Sequence, residues 1–131
     1  MRRTGDWLKQ AEAALAQAKD STQGGHYWAA CFFSHQAAEY AAKALLASRG
    51  VEARGHSIYD LLEEIARIGP AVDSKSMEYA RNLDRHYLQS RYPNTLHTGA
   101  PVDYYRRSDA EKAVSEAQEI VEYCRAKAGQ A

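Results

Sequence analysis

The sequence is short of cysteine, short of proline and has no excess of either charge, and each shortage removes a class of protein. Cys31 and Cys124 are the only cysteines. They stand far apart, with no CxxC pair and no histidine at zinc-ligand spacing, so neither a disulfide framework nor a zinc site is expected. They read as two reduced, buried thiols. Seventeen Lys+Arg balance seventeen Asp+Glu, which argues against a domain coated in basic charge and against an acidic solubilising tail. No apolar run approaches the ~18–20 residues of a membrane span. The opening MRRTGDWLKQAEAAL is amphipathic where a signal peptide is continuously apolar, so a cytoplasmic protein with no membrane partner is expected. Gly24-Gly25 and the isolated glycines match no phosphate-binding loop. The five histidines (26, 35, 56, 86 and 97) include no pair three or four apart, so no helix presents two imidazoles side by side, and no metal or cofactor is expected.

What is present is helical. The 131 residues read as one domain spanning 1–131, long enough to bury a real core. Proline is confined to 70, 93 and 101, and the segments between breakers carry helical rather than alternating periodicity. A first helix over about 4–21 puts Trp7, Leu8, Ala11, Leu15 and Ala18 on one face. A second over about 26–49 is rich in alanine, which suits a central helix approached closely by its neighbours. A third starts at Ser57 as cap and runs to Gly69-Pro70. A fourth runs from Ser74 to Leu88 and must stop before Pro93. The last opens with Ser108-x-x-Glu111 as a capping box. The expected fold is all-α, an antiparallel bundle of four to five helices.

Residues 89–107 form a connection longer than bundles normally need, and such loops tend to be functional. The surrounding chemistry is unusual. The window 79–107 holds Arg81, Arg85, Arg91, Arg106 and Arg107 against Asp84 and Asp103 alone. Five minus two leaves +3 there and −3 elsewhere, so a neutral total hides a polarised molecule. Five of the nine tyrosines (79, 87, 92, 104 and 105) fall in the same window. Arginine interleaved with tyrosine suits a surface that holds phosphates and stacks bases.

Two strings resemble a known family. His35-Gln36-Ala37-Ala38-Glu39-Tyr40-Ala41-Ala42-Lys43-Ala44-Leu45-Leu46 is similar to the HQAAExxxKALL helix of HEPN domains, and His56-Ser57-Ile58 follows as in that family. Leu83-Asp84-Arg85-His86-Tyr87 and Ser90-Arg91-Tyr92-Pro93-Asn94 resemble the LDxxY…SRYPD segment of its small prokaryotic members. Tyr40 replaces a frequent Lys and Asn94 a frequent Asp. The resemblance spans about 5–125. It implies a helical bundle that often pairs as a homodimer, is commonly encoded beside a minimal nucleotidyltransferase, and acts on RNA or nucleotides. Catalytic members carry Arg-x(4–6)-His, which Arg81-Asn82-Leu83-Asp84-Arg85-His86 matches at the shortest spacing. Some family toxins are silenced by adenylyl groups on a tyrosine two residues after that histidine. Here Tyr87 is one residue after it, and Leu88 holds the matching position.

The chemistry agrees with the motif. Metal-free RNA cleavage needs a proton acceptor for the 2′-OH, a proton donor for the leaving oxygen and a cation for the phosphorane. His86 titrates in a useful range, Arg81 offers a planar fork for phosphate, and Asn82, four residues before His86, shares its face and is expected to orient it. Arg85, Arg91, Tyr87 and Tyr92 are candidate RNA or nucleotide contacts. Arg81 and Arg85, one turn apart, repel unless an anion lies between them. The reading is a metal-independent ribonuclease of toxin type paired with a nucleotidyltransferase. The alternatives are a non-catalytic RNA- or nucleotide-binding module and an adaptor for that transferase. Arg81 and His86 lie roughly 140° apart around one helix, so a homodimer with a shared site is expected.

Overall fold

The computed structural model describes residues 3–129, and every regular element among them is helical. The elements are α1 (Thr4–Gln23), α2 (Tyr27–Ser48), α3 (Ile58–Ile68), α4 (Ser74–Asp84), α5 (His86–Gln89), a 3-10 turn (Pro93–Thr95), α6 (Pro101–Tyr104) and α7 (Arg107–Ala128). No helix among these residues is long and apolar enough to cross a membrane.

α2 is the central element because its alanines let neighbours in. Ala29, Ala30, Ala37, Ala38, Ala41, Ala42 and Ala44 are all buried, and α1 and α7 pack against it and against each other. Gly25, at φ 81°, makes the left-handed turn that folds α2 back along α1. Trp7, early in α1, therefore meets Tyr40, late in α2, with ring centroids 5.7 Å apart. α7 instead runs parallel to α2. Arg107 at its start stands over Tyr27 (5.4 Å), and the Lys127 carbonyl near its end accepts from Arg49 (3.2 Å). The long connection from α2 to α7 is what this parallel pairing requires. It is filled by the α3–α4 hairpin and the segment up to residue 106.

The core joins Leu45 and Leu46 of α2 with Ile58, Leu62 and Ile65 of α3, Leu83 of α4, and Ile120 and Val121 of α7. Cys31 and Cys124 are free and fully buried, and burial pushes both thiols up to about 12. Lys43 donates to the buried Glu39 carboxylate at 3.0 Å, the expected i,i+4 pair inside the bundle.

Three expectations change. The fourth helix is interrupted at Arg85, whose backbone stays helical (φ −60°, ψ −27°). α5 thus continues α4 with a local irregularity rather than as one unbroken run. The capping box Ser108-x-x-Glu111 is not used: α7 begins at Arg107, two residues before a Ser108 cap would start it, and the Asp109 carboxylate accepts the Arg106 N–H (2.9 Å). An acid two residues into the helix reaches back to that free donor, which leaves Ser108 inside the first turn. The stretch 89–107 is also more ordered than a plain loop, since each of its two prolines opens a short helical turn.

Candidate functional site

The site is built on the join between α3 and the α4–α5 helix. Asp84 ends α4, and its carboxylate turns into the start of α3. It accepts the N–H groups of Ile58 (2.8 Å) and Tyr59 (3.1 Å), the Ser57 hydroxyl (3.0 Å) and His35 Nε2 (3.2 Å). Burial works to raise the Asp84 pKa. The bonds from His35, Ile58 and Tyr59 outweigh it and hold the group below the ordinary carboxylate range. Asp84 is therefore spent on structure and leaves Arg81, one turn earlier, without it.

Arg81 has no ion pair among the described residues. Its guanidinium lies on the Tyr59 ring, 3.8 Å from the centroid. Arg85 is likewise without a carboxylate partner there and donates to Asn82 Oδ1 (2.7 Å). Both arginines, with Tyr59 and Asn82, line an open groove of about 850 Å³ between α3 and α4. Asp60 and Glu78 line it too. Two guanidinium groups with neutral partners are charges left available to an anion.

His86 faces a second, smaller groove of about 190 Å³, lined by Asn82, Arg85, Gln89, Asp109, Lys112 and Glu116. Its Nδ1 is hydrogen-bonded to the Tyr105 hydroxyl at 2.8 Å, and the two rings meet edge to face. Burial, and then the positive charge of Arg85, pushes His86 down to about 4, so the ring is neutral at pH 7. With Nδ1 engaged, Nε2 is the nitrogen left for chemistry. Burial raises the pKa of Glu116 above the usual carboxylate range, against the hydrogen bond from Asn82. One groove thus holds a histidine kept in its neutral form and a carboxyl biased towards keeping its proton.

Asn82 does not orient His86. Its amide donates to Glu116 (2.8 Å) and its oxygen accepts from Arg85, while Tyr105 fills the orienting position. Asn82 and Arg85 line both grooves, forming the ridge between Arg81 and His86, which one chain does not bring into a single cleft. Arg91 reaches back to the Tyr87 carbonyl (3.0 and 2.7 Å) and lies over the Phe32, Tyr87 and Tyr92 rings. Tyr87 stacks on His56 (4.7 Å, 18°), and Tyr92 is exposed. Among the described residues no group of three or more His, Cys, Asp or Glu side chains is placed to hold a metal ion.

Residues 4–127 match the model of the HEPN domain. The chain belongs to the HEPN family. Among HEPN relatives, it is 40% identical to TT1696 from Thermus thermophilus, whose crystal structure superposes with a TM-score of 0.91 over 97% of this chain and 99% of that one. It is 38% identical to ST0689, an archaeal HEPN homologue, with a TM-score of 0.82 over 98% and 99% of the two chains. It is also 26% identical over 124 residues to "Putative toxin MJ1304" of Methanocaldococcus jannaschii, covering 88% of this chain and 82% of that protein.

Sequence reading found the HEPN motif and missed its supports. Tyr59, Asp109 and Glu116 carried no flag. Glu116, three residues after Ala113, was the one visible signal, an acid at an apolar-face position of α7.

Proposed function

We propose that this HEPN protein is a metal-independent endoribonuclease of toxin type. The observation that carries the reading is the pairing of a neutral, partly buried His86, its Nδ1 held by Tyr105, with an Arg81 that has no carboxylate partner among the described residues. In the reaction, His86 Nε2 takes the 2′-hydroxyl proton as that oxygen attacks the adjacent phosphorus; the phosphorus–5′-oxygen bond breaks to leave a 2′,3′-cyclic phosphate, and the leaving 5′-oxygen takes its proton from water. Arg81 meets the charge on the phosphorane oxygens, with Arg85 beside it. Because the two residues face different grooves in one chain, the cleft is completed by a second copy, one subunit's Arg81 meeting its partner's histidine motif across a two-fold axis. A minimal nucleotidyltransferase is the proposed controlling partner. Tyr92, whose ring is exposed, is then a more accessible acceptor than Tyr87, packed between His56 and Arg91. Arg91 serves this reading by holding the α5 turn.

The test is cleavage of single-stranded RNA by purified protein. His86→Ala lowers the rate by roughly 10²–10⁴, the usual contribution of a general acid–base group, and Arg81→Ala does comparable damage with the helical spectrum intact. Full activity in both variants removes the assignment. Binding without cleavage in the wild type selects the non-catalytic RNA-binding module instead.

A further inference from the structure

The α3–α4 groove lies on the far side of the Asn82–Arg85 ridge from His86, and the cleavage step uses its two arginines but not its Tyr59 wall. Three observations give that wall a task. The Arg81 guanidinium is stacked on Tyr59 at 3.8 Å, so one face is covered and its position is set by a ring on another helix. Arg81 is exposed, which leaves its outer face open. Arg85, one turn on, is held towards the same groove by Asn82 Oδ1. Asp60, Glu78 and Asp84 share the groove and repel an anion, Asp84 least because its carboxylate is engaged by the start of α3 and His35, so attraction rests on the two guanidinium groups and the stack rather than on a broad basic surface.

We propose that this groove is a nucleobase subsite for single-stranded RNA, in which a base stacks on the outer face of Arg81, backed by Tyr59, and its phosphate sits between Arg81 and Arg85. Guanidinium planes and aromatic rings are surfaces on which splayed-out RNA bases stack. A strand seated there then presents its neighbouring nucleotide to the histidine motif that the second copy brings to Arg81. Tyr59 acts through Arg81 as a positioning residue. The choice of RNA as ligand rests on the functional reading above, but the subsite is tested by binding and does not depend on cleavage.

The experiment measures fluorescence anisotropy of a labelled single-stranded hexaribonucleotide on the full chain carrying His86→Ala, which removes turnover. Tyr59→Leu and Arg81→Ala each weaken binding on the order of 10-fold, the scale of one lost stack, and Tyr59→Phe restores what Tyr59→Leu loses. Combining Tyr59→Leu with Arg81→Ala costs little more than Arg81→Ala alone, because the two act as one platform. A duplex of equal length binds more weakly than the single strand. Unchanged affinity in Tyr59→Leu, fully additive losses, failure of Tyr59→Phe to restore binding, or equal affinity for the duplex each overturns the subsite. Thermal unfolding of Tyr59→Leu alongside Tyr59→Phe separates a lost stack from lost fold. If the wild type cleaves nothing but this binding pattern holds, the ribonuclease reading falls and the subsite stands. If no variant binds the single strand, both fall.

Discussion

Two tyrosines outside the Arg-x4-His motif set the state of the residues inside it. Tyr59 backs Arg81 with a ring and Tyr105 fixes His86 with a hydroxyl. The His86 environment has a consequence for acid stability. Its pKa falls to about 4 in the folded protein, from burial first and Arg85 second, against about 6.5 in an unfolded chain. Between those values the unfolded state binds the extra proton and the folded state does not, so stability falls as pH drops from about 6.5 towards 4. Asp84, whose pKa is lowered, withdraws its contribution only at lower pH, as it protonates. His86→Gln should therefore flatten the dependence of Tm on pH between 7 and 4.5. A wild-type slope retained in the variant would contradict the buried, neutral ring. If His86 is the base, cleavage should persist down to about pH 5, where an unperturbed histidine would already have lost its activity.

At the scale of elements, Asp84 ties α4 to the start of α3 with three hydrogen bonds and to His35 of α2 with a fourth. Asp84→Ala leaves two α3 amides without that acceptor, a loss of about 1–3 kcal/mol from unsatisfied groups, while His35 Nε2 keeps the His56 carbonyl at 2.9 Å. The loss should appear as a lower urea midpoint at unchanged m, and Asp84→Asn, which keeps an acceptor oxygen, should lose less. A midpoint unmoved in Asp84→Ala would show that the bonds are replaceable by water. The helices themselves were legible because their signals are local: the alanine-rich face of α2, the Ser57 cap that accepts the Asp60 N–H, the glycines between α1 and α2. The interruption at Arg85 was not, since nothing in Leu83-Asp84-Arg85-His86 announces that Asp84 will turn towards a helix start 26 residues earlier. The same holds for the site. Arg81 and His86 were readable as a motif, but Tyr105 and Glu116 reach it from 19 and 34 residues away. Spacing within one helix pointed to Asn82, the local candidate, and missed both.

At the scale of the whole molecule, a neutral chain carries a lopsided surface. The +3 of residues 79–107 coincides with most of its exposed large apolar groups. Leu88, Tyr92, Val102 and Tyr104 are all exposed, and outside this region the only other exposed large apolar residue among the described ones is Ile68. Exposed apolar side chains concentrated in one stretch of a soluble fold are the kind of surface an interaction face is made of. The proposed homodimer would use it, burying Leu88 and Val102 against their symmetry mates while the His86 grooves of the two chains come towards one axis. In that proposed dimer the basic windows add, about +6 where one chain offers +3, so RNA binding should weaken steeply with salt. Light scattering at micromolar concentration should give about twice 14.6 kDa for the wild type. Leu88→Glu, which places a charge on that face and touches neither motif residue, should give the single-chain mass, with cleavage falling as the dimer is lost and recovering as protein concentration rises. A wild-type monomer that cleaves RNA, or a Leu88→Glu monomer with full activity, would mean that one chain's two grooves suffice and that the apolar face serves another partner.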